Sequence, residues 1–131
     1  MGVREAGDGA RARFDEVVMG DTKLSLTAVV LPSIDVTMNF VAYQSNAIAY
    51  VPSTRITNTA TAAVKVLSIE GQLPSPEAIA NGQYRLARTL NLIAATEPQG
   101  LLREFVSWVL GSGAQPIIAS LHYVPMAQVQ K

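Results

Sequence analysis

The sequence contains no cysteine, few charged residues and no long apolar run, and each absence excludes a class of function. Without cysteine there is no disulfide framework, thiolate metal site or cysteine nucleophile. Charged residues make up only 15% of the chain, with ten basic residues against ten acidic ones. A nucleic-acid-binding domain needs a basic face to displace counterions from phosphates, so the balanced charge argues against that class.

No stretch approaches the roughly 18 consecutive apolar residues that suggest a membrane-spanning helix. The first residues, Met1-Gly2-Val3-Arg4-Glu5, have neither the basic nor the apolar segment of a signal peptide, so we expect no export signal in them. What remains is enough for one folded domain, since 49% of the 131 residues are hydrophobic. Because charge is scarce, we expect some apolar surface to need a partner.

Hydrophobic periodicity predicts helices and strands that alternate along the chain. The predicted helices are residues 10–18, 34–43, 76–80 and 100–110 and a last one that starts near residue 114. The predicted strands are residues 24–31, 47–51, 64–69 and 84–95, with a loop or crossover at 53–63. Single strands between helices favour an α/β layer arrangement with a parallel or mixed sheet.

The second predicted helix is apolar on two sides, so we expect both sides to be covered. Ser33 precedes it as a candidate N-cap. The two apolar stripes are Ile34, Met38 and Val41 on one side and Val36, Phe40 and Tyr43 on the other.

Catalytic residues are scarce, which predicts that the protein is not an enzyme. His122 is the only histidine and has no carboxylate within three residues, so we expect it to be structural or solvent-facing and predict no metal site. The adjacent Asp15 and Glu16 are typical of a solvated helix face. No pair of carboxylates has the arrangement that hydrolytic catalysis requires.

A candidate anion site precedes the first predicted helix. Arg4 stands before Gly7-Asp8-Gly9, which opens directly into that helix. Free backbone N–H groups at a helix start, the positive end of the helix dipole and a guanidinium together can hold an anion. The competing interpretation is an ordinary N-cap, in which Asp8 caps the helix and Arg4 lies on the surface.

Trp108 has two interpretations. It is predicted to share a side of its helix with Arg103, Glu104 and Ser107, opposite the apolar stripe. It either packs beneath a neighbouring loop or serves as a contact residue in a protein interface, where tryptophan is enriched.

Five stretches resemble, in order, the C-terminal half of the phosphate-binding proteins that serve ABC phosphate transporters. The first, Arg4 to Phe14, is similar to the family's Arg-x-x-Gly-Ser-Gly-Thr and following helix, and Asn46-Ala47-Ile48-Ala49-Tyr50-Val51 is similar to its Pro-Gly-Ala-Ile-Gly-Tyr-Val. The others are Val64 to Leu67, Gln83 to Leu90, and a last group formed by Glu97 to Phe105 with Gln115 and Tyr123-Val124-Pro125.

The resemblance implies part of a three-layer, periplasmic-binding-protein-like fold of the second type, a mixed sheet flanked by helices. Residues 1–52 would belong to the second, ligand-loop lobe, 53–63 to the crossover, and 64–131 to the C-terminal part of the first lobe. The family binds phosphate between its lobes, which implies an oxyanion ligand, ABC transporter membrane subunits as partners, no cofactor, and a place in the periplasm or at the cell surface.

Carried over by position, the resemblance implies a ligand site at Arg4, Asp8, Gly9 and Ala10. Asp8 stands where the family has a ligand serine, and Ala10 where it has a ligand threonine, so two hydroxyl donors are replaced. The expected function is solute binding for phosphate or a related oxyanion. The alternative is a structural or interaction protein that binds no ligand, keeps the half-fold and forms a homodimer. Because only part of the family's fold is present, we expect a homo-oligomer or swapped assembly with either function.

Overall fold

A computed structural model describes residues 1–56 and 63–126. The chain divides into two compact units, a first unit of Met1–Gly71 and a second unit of Gln72–Lys131. Helices and a two-stranded parallel sheet make up the regular structure of the described residues, which is compatible with part of an α/β fold. Among these residues, every helix is too short or too polar to cross a membrane.

The first unit is built around a parallel β-α-β crossover. Its elements are β1 (Gly2–Val3), α1 (Gly9–Phe14) followed by a π-helical turn (Asp15–Met19), β2 (Val29–Val30), α2 (Ile34–Tyr43) and a 3-10 turn (Ser53–Arg55). Gly2 pairs with Val29, and Val3 with Val30. Parallel strands need such a crossover because a tight turn can join only antiparallel ones.

The core of the first unit lies where β1 meets α2. Val3, Leu31 and Thr37 are almost completely buried there. Gly2 allows the close approach, because a Cβ atom on it would lie 2.6 Å from Leu31 Cδ1 and 3.1 Å from Phe40 Cδ1. A larger residue at position 2 would therefore push α2 away from the sheet.

The predicted bounds of α2 and its cap are confirmed, and part of its second predicted apolar side is exposed, so its coverage on both sides stays a prediction. The Ser33 hydroxyl accepts a hydrogen bond from the Val36 amide at 3.2 Å, as an N-cap does. Thr37 is the buried residue of this helix, and its hydroxyl donates to the Ser33 carbonyl at 2.8 Å. On the second predicted apolar side, Val36 is exposed and Tyr43 is 86% exposed.

The second unit contains three helices among its described residues, α3 (Pro76–Ala80), α4 (Gly100–Leu110) and α5 (Gln115–Ser120). Ser75 caps α3 through the Ala78 amide at 3.1 Å, and Pro76 takes the first helical position. The side chain of Gln115 donates to the Val109 carbonyl at 2.7 Å and accepts from the Met126 amide at 2.8 Å. Gln115 therefore joins α4, α5 and the segment after α5.

The strand predictions are mostly wrong. Of residues 24–31 only Val29–Val30 form a strand, while residues 47–51, 64–69 and 84–95 form none. The segment 47–51 does run beside β1, where the Gly2 amide donates to the Ile48 carbonyl at 2.8 Å. Apolar alternation shows which residues could form a strand, but a ladder also needs a partner in register, and that depends on tertiary structure.

The assignment of residues 1–52 and 64–131 to two lobes of a larger fold stays a prediction. The boundary between the two units falls after Gly71. Residues 57–62, within the predicted crossover, and residues 127–131, at the end of the second predicted lobe segment, lie outside the described part of the chain.

Candidate anion-binding site

The candidate site lies at the carboxyl edge of the sheet. Arg4 directly follows β1, and Leu31 directly follows β2. The Arg4 Nη1 atom spans the two strands by donating to the Leu31 carbonyl oxygen at 2.5 Å. In open α/β sheets ligands bind outside the carboxyl ends of the strands, so the predicted residues lie in the region expected for a site.

The carboxylate of Asp8 is the point at which the predicted donors meet. Its Oδ1 accepts from the amides of Ala10 at 2.8 Å and Arg11 at 3.1 Å, which makes Asp8 the N-cap of α1. Its Oδ2 accepts from Arg4 Nε at 3.3 Å. The N-cap interpretation of Asp8 is thus confirmed, whereas a surface position for Arg4 is wrong, because its side chain is only 13% exposed.

Asp8 is held in its charged form. Burial is the largest single influence and raises the pKa of the carboxyl group. The hydrogen bonds from the Arg11 and Ala10 amides and from the Arg4 side chain, together with the Arg4 charge, outweigh burial and bring the pKa of Asp8 below its ordinary 3.8. At neutral pH the donors therefore surround an ionised oxyanion that belongs to the chain itself.

Gly9 and Ala10 form the first two positions of α1. Neither carries a hydroxyl, so their contribution to a ligand would come from backbone amides alone. The Ala10 amide already donates to Asp8 in this structure. Of the four predicted site residues, Arg4, Asp8 and Ala10 are therefore joined by hydrogen bonds, and Gly9 lies between two of them. Whether they bind a free anion stays a prediction.

Two residues outside the prediction complete the surroundings of Arg4. Arg11 Nη1 donates to the Arg4 carbonyl at 2.9 Å, and Arg11 Nε lies 3.2 Å from Asp15 Oδ2. The Tyr50 hydroxyl accepts from the Arg4 amide at 3.3 Å, and its ring stacks on Phe14 with centroids 4.5 Å apart. Burial raises the pKa of Tyr50, so its hydroxyl stays protonated.

Both residues lie in stretches that resemble the family, but only the contact of Arg11 has a local signal. Arg11 follows Asp8 at the third position, where a basic residue early in a helix can reach back to the preceding loop. Tyr50 is 46 residues from Arg4, and its hydrogen bond to the Arg4 amide depends on the packing of the 47–51 segment beside β1.

His122 has a structural role at the end of α5. Its φ of +63° places it in the left-handed region, and its amide donates to the Ala119 carbonyl at 2.9 Å. The next amide, of Tyr123, donates to the Ile118 carbonyl at 3.2 Å. These two bonds form a Schellman motif, which satisfies carbonyls left free at a helix end. Within residues 1–56 and 63–126 no group of three His, Asp or Glu residues could hold a metal ion.

Trp108 does not stand apart from the apolar stripe of α4. Its ring stacks on Phe105 with centroids 6.3 Å apart. It also lies against Gly113, where an added Cβ atom would come within 2.4 Å of the indole ring. The predicted position opposite Phe105 is therefore wrong, because residues three apart lie on neighbouring parts of a helix surface.

No protein-family model matches the sequence. The chain is similar to curated phosphate-binding proteins. It is 27% identical over 129 residues to Phosphate-binding protein PstS 2 of Streptococcus pneumoniae. That alignment covers 92% of this chain and 43% of the streptococcal protein. It is also 25% identical over 133 residues to Phosphate-binding protein PstS 2 of Streptococcus agalactiae. This second alignment covers 94% of the chain and 44% of that relative. The chain thus spans less than half the length of the relatives it matches.

Proposed function

We propose that the chain is part of a solute-binding protein that captures phosphate or a related oxyanion, without catalysis, for an ABC-type uptake system. The observation that carries this proposal is the similarity to two streptococcal phosphate-binding proteins over more than nine-tenths of the chain. Membrane subunits of the transporter would receive the solute, outside the cytoplasmic membrane in the periplasm or at the cell surface. Since less than half of each relative is spanned, the chain would supply one part of the ligand site.

The geometry around Asp8 supports the class of ligand. A guanidinium and two backbone amides donate to a single carboxylate, at 2.8–3.3 Å. Carboxylate and phosphate oxygens accept charge-assisted hydrogen bonds of the same kind. Donors that hold the oxyanion of Asp8 are therefore chemically suited to hold a free oxyanion.

Asp8 would compete with that free oxyanion. Two negative charges on one set of donors repel each other, so the ligand has to displace the Asp8 carboxylate. Each hydrogen bond to a charged group contributes about 1.5–3 kcal/mol, and a difference of about 1.4 kcal/mol changes an affinity tenfold. We therefore expect an oxyanion to bind the parent protein at least tenfold more weakly than a variant in which Asp8 is replaced by serine.

The test is calorimetric titration of phosphate, sulfate and molybdate into the parent protein and into Asp8→Ser. Serine also caps helices well, so this variant keeps the start of α1. Asp35→Ser is the matched control, because it removes the same charge from an exposed carboxylate of the first unit. We expect phosphate to bind Asp8→Ser at least tenfold more tightly than the parent, and Asp35→Ser to bind it as the parent does.

In the double variant Arg4→Ala/Asp8→Ser, we expect the gain in phosphate affinity to be lost. The proposal fails if neither the parent nor Asp8→Ser binds any of the three anions at millimolar concentration. A homodimer in solution together with that result would favour the non-binding interaction protein instead. An equal gain in phosphate affinity in Asp35→Ser would show that the effect comes from the change in net charge alone, which would contradict the assignment of the site.

A further inference from the structure

Arg4 has hydrogen-bond partners at its guanidinium, its carbonyl and its amide. The guanidinium donates to Asp8 and to the Leu31 carbonyl, and the Arg4 carbonyl accepts from Arg11. The Arg4 amide donates to the Tyr50 hydroxyl at 3.3 Å. Tyr50 therefore fixes the backbone of Arg4 at the point where the chain leaves β1.

The ring of Tyr50 contacts the helix that follows Arg4. It stacks on Phe14, the last residue of α1, with ring centroids 4.5 Å apart and ring planes 17° apart. One side chain thus contacts both the first residue after β1 and the end of α1. Because aromatic pairs prefer defined stacked geometries, this contact fixes the Arg4 backbone relative to α1.

The contact between Arg4 and Asp8 tolerates little displacement. The Arg4 Nε atom lies 3.3 Å from Asp8 Oδ2, farther than the about 2.7–2.9 Å that is typical of charge-assisted hydrogen bonds. A further separation of about 0.5 Å would end this hydrogen bond, and about 0.5 Å is also the precision with which supporting residues have to hold a binding site. A residue that fixes the Arg4 backbone therefore affects how firmly the guanidinium holds an oxyanion.

Tyrosine suits this position because its hydroxyl accepts a hydrogen bond without carrying a charge. Burial raises the pKa of Tyr50, so the hydroxyl is uncharged at neutral pH. A carboxylate in the same place would also accept from the Arg4 amide, but its negative charge would repel an oxyanion near Arg4. Tyr50 thus orders Arg4 without weakening the attraction of the guanidinium for an oxyanion.

We propose that Tyr50 is a positioning residue of the candidate site, whose hydroxyl and ring hold the Arg4 backbone so that the guanidinium meets an oxyanion. In the parent protein this oxyanion is the Asp8 carboxylate. For a free oxyanion the inference rests on the proposed function, whereas for Asp8 it does not. The two proposals can therefore fail separately.

The first measurement is the pKa of Asp8 in the parent and in Tyr50→Phe, which removes the hydroxyl and keeps the ring. Aspartate labelled with ¹³C at its carboxyl carbon gives four NMR signals, and the Asp8 signal is the one missing from Asp8→Ser. Because a displaced Arg4 holds the carboxylate less firmly, we expect the pKa of Asp8 to be higher in Tyr50→Phe than in the parent. A residue that only stabilises the fold would leave this pKa unchanged.

The second measurement is calorimetric titration of phosphate into Asp8→Ser and into Asp8→Ser/Tyr50→Phe. We expect the double variant to bind phosphate about threefold to tenfold more weakly, the usual effect of one lost hydrogen bond. Tyr43→Phe is the matched control for both measurements, because Tyr43 is 86% exposed on α2 of the same unit. It should change neither the pKa of Asp8 nor the phosphate affinity of Asp8→Ser.

An unchanged pKa of Asp8 in Tyr50→Phe overturns the positioning role, even where the melting temperature falls, since Tyr50 would then only stabilise the fold. Equal phosphate affinities of Asp8→Ser and the double variant overturn it as well. So does an effect of the same size in Tyr43→Phe, because the loss of any tyrosine hydroxyl would then suffice. A raised pKa of Asp8 in a protein that binds no phosphate supports the positioning role and contradicts only the proposed function.

Discussion

Two regions of the molecule differ in whether their side chains have partners within the chain. They are the loop between β1 and α1 in the first unit and helix α4 in the second unit. Around the loop, Arg4, Asp8 and Arg11 form hydrogen bonds to one another and to the Leu31 carbonyl. On α4, by contrast, Leu101 and Phe105 extend into solvent. A polar network close to the backbone can be completed by local contacts, whereas an apolar face needs a second surface.

The largest expected effect is that of Gly2→Ala. The added Cβ atom would lie 2.6 Å from Cδ1 of Leu31, which is only 5% exposed, and 3.1 Å from the half-buried ring of Phe40. We expect a loss of about 1–3 kcal/mol in the free energy of unfolding, the usual cost of overpacking. Urea denaturation followed by circular dichroism measures it.

Gly113→Ala is the paired control in the second unit. Its Cβ atom would come even closer, within 2.4 Å of the Trp108 ring, but this ring is half-exposed and can swing away. We expect a change within about 0.5 kcal/mol, as for surface substitutions. A larger loss than that of Gly2→Ala would contradict the contrast between the buried contact of β1 with Leu31 and the exposed surface of α4.

The next effect is that of Asp8→Ala, which removes the N-cap of α1 and the partner of Arg4. Loss of an N-cap costs about 0.5–2 kcal/mol. Because the pKa of Asp8 is lowered on folding, its contribution is fully present above the unfolded pKa of about 3.9 and is lost as the pH falls through the lower folded pKa. The stability difference between parent and variant should therefore be constant above about pH 5 and shrink in acid.

That dependence is measured by denaturation of both proteins between about pH 2 and pH 7, the range that spans carboxyl titration. Asp35→Ala serves as the control, since Asp35 is an exposed partner of Arg55 and should contribute little at any pH. A difference that stays constant down to the lowest pH would mean that Asp8 acts without its charge.

Gln115→Ala tests the polar contacts of the second unit. It removes a donor to the Val109 carbonyl and an acceptor from the Met126 amide. We expect a loss of about 1 kcal/mol, since the site is only half-buried and water can replace part of both bonds. Hydrogen exchange should then show faster exchange of the Met126 amide, and an unchanged rate would mean that this bond is not maintained in solution.

The smallest expected effect is a gain from His122→Gly. A left-handed conformation costs a residue with a side chain about 1–2 kcal/mol, part of which is offset because glycine loses more freedom on folding. We expect a net gain of about 0.5–1 kcal/mol, read as a higher melting temperature. A loss would show that the imidazole makes a stabilising contact.

The helices were predictable because their signals are local. Ser33 before α2, Ser75 and Pro76 at α3, and Gly20 after the π-helical turn each act within a few residues of their position in the sequence. The strands were not, because residues 24–31 and 84–95 have suitable alternation but mostly lack a paired neighbour. β1 went unpredicted because it has only two residues, too few for any periodic signal.

The candidate site shows the same division. Arg4, Asp8, Gly9 and Ala10 were identified from their order in the chain, and the competing N-cap role of Asp8 was equally visible there. The contact between Arg4 and Leu31 and that between Arg4 and Tyr50 join residues 27 and 46 positions apart, so no local pattern contains them.

The sequence by itself determined the helix starts, the scarcity of catalytic groups and the resemblance to phosphate-binding proteins, because each depends on residue types at short spacing. Only the tertiary structure decided that the Asp8 carboxylate accepts hydrogen bonds from Arg4 and the Ala10 amide and that Leu101 and Phe105 on α4 stay exposed. Both depend on which surfaces meet, and burial is a property of the packed chain that no single segment carries.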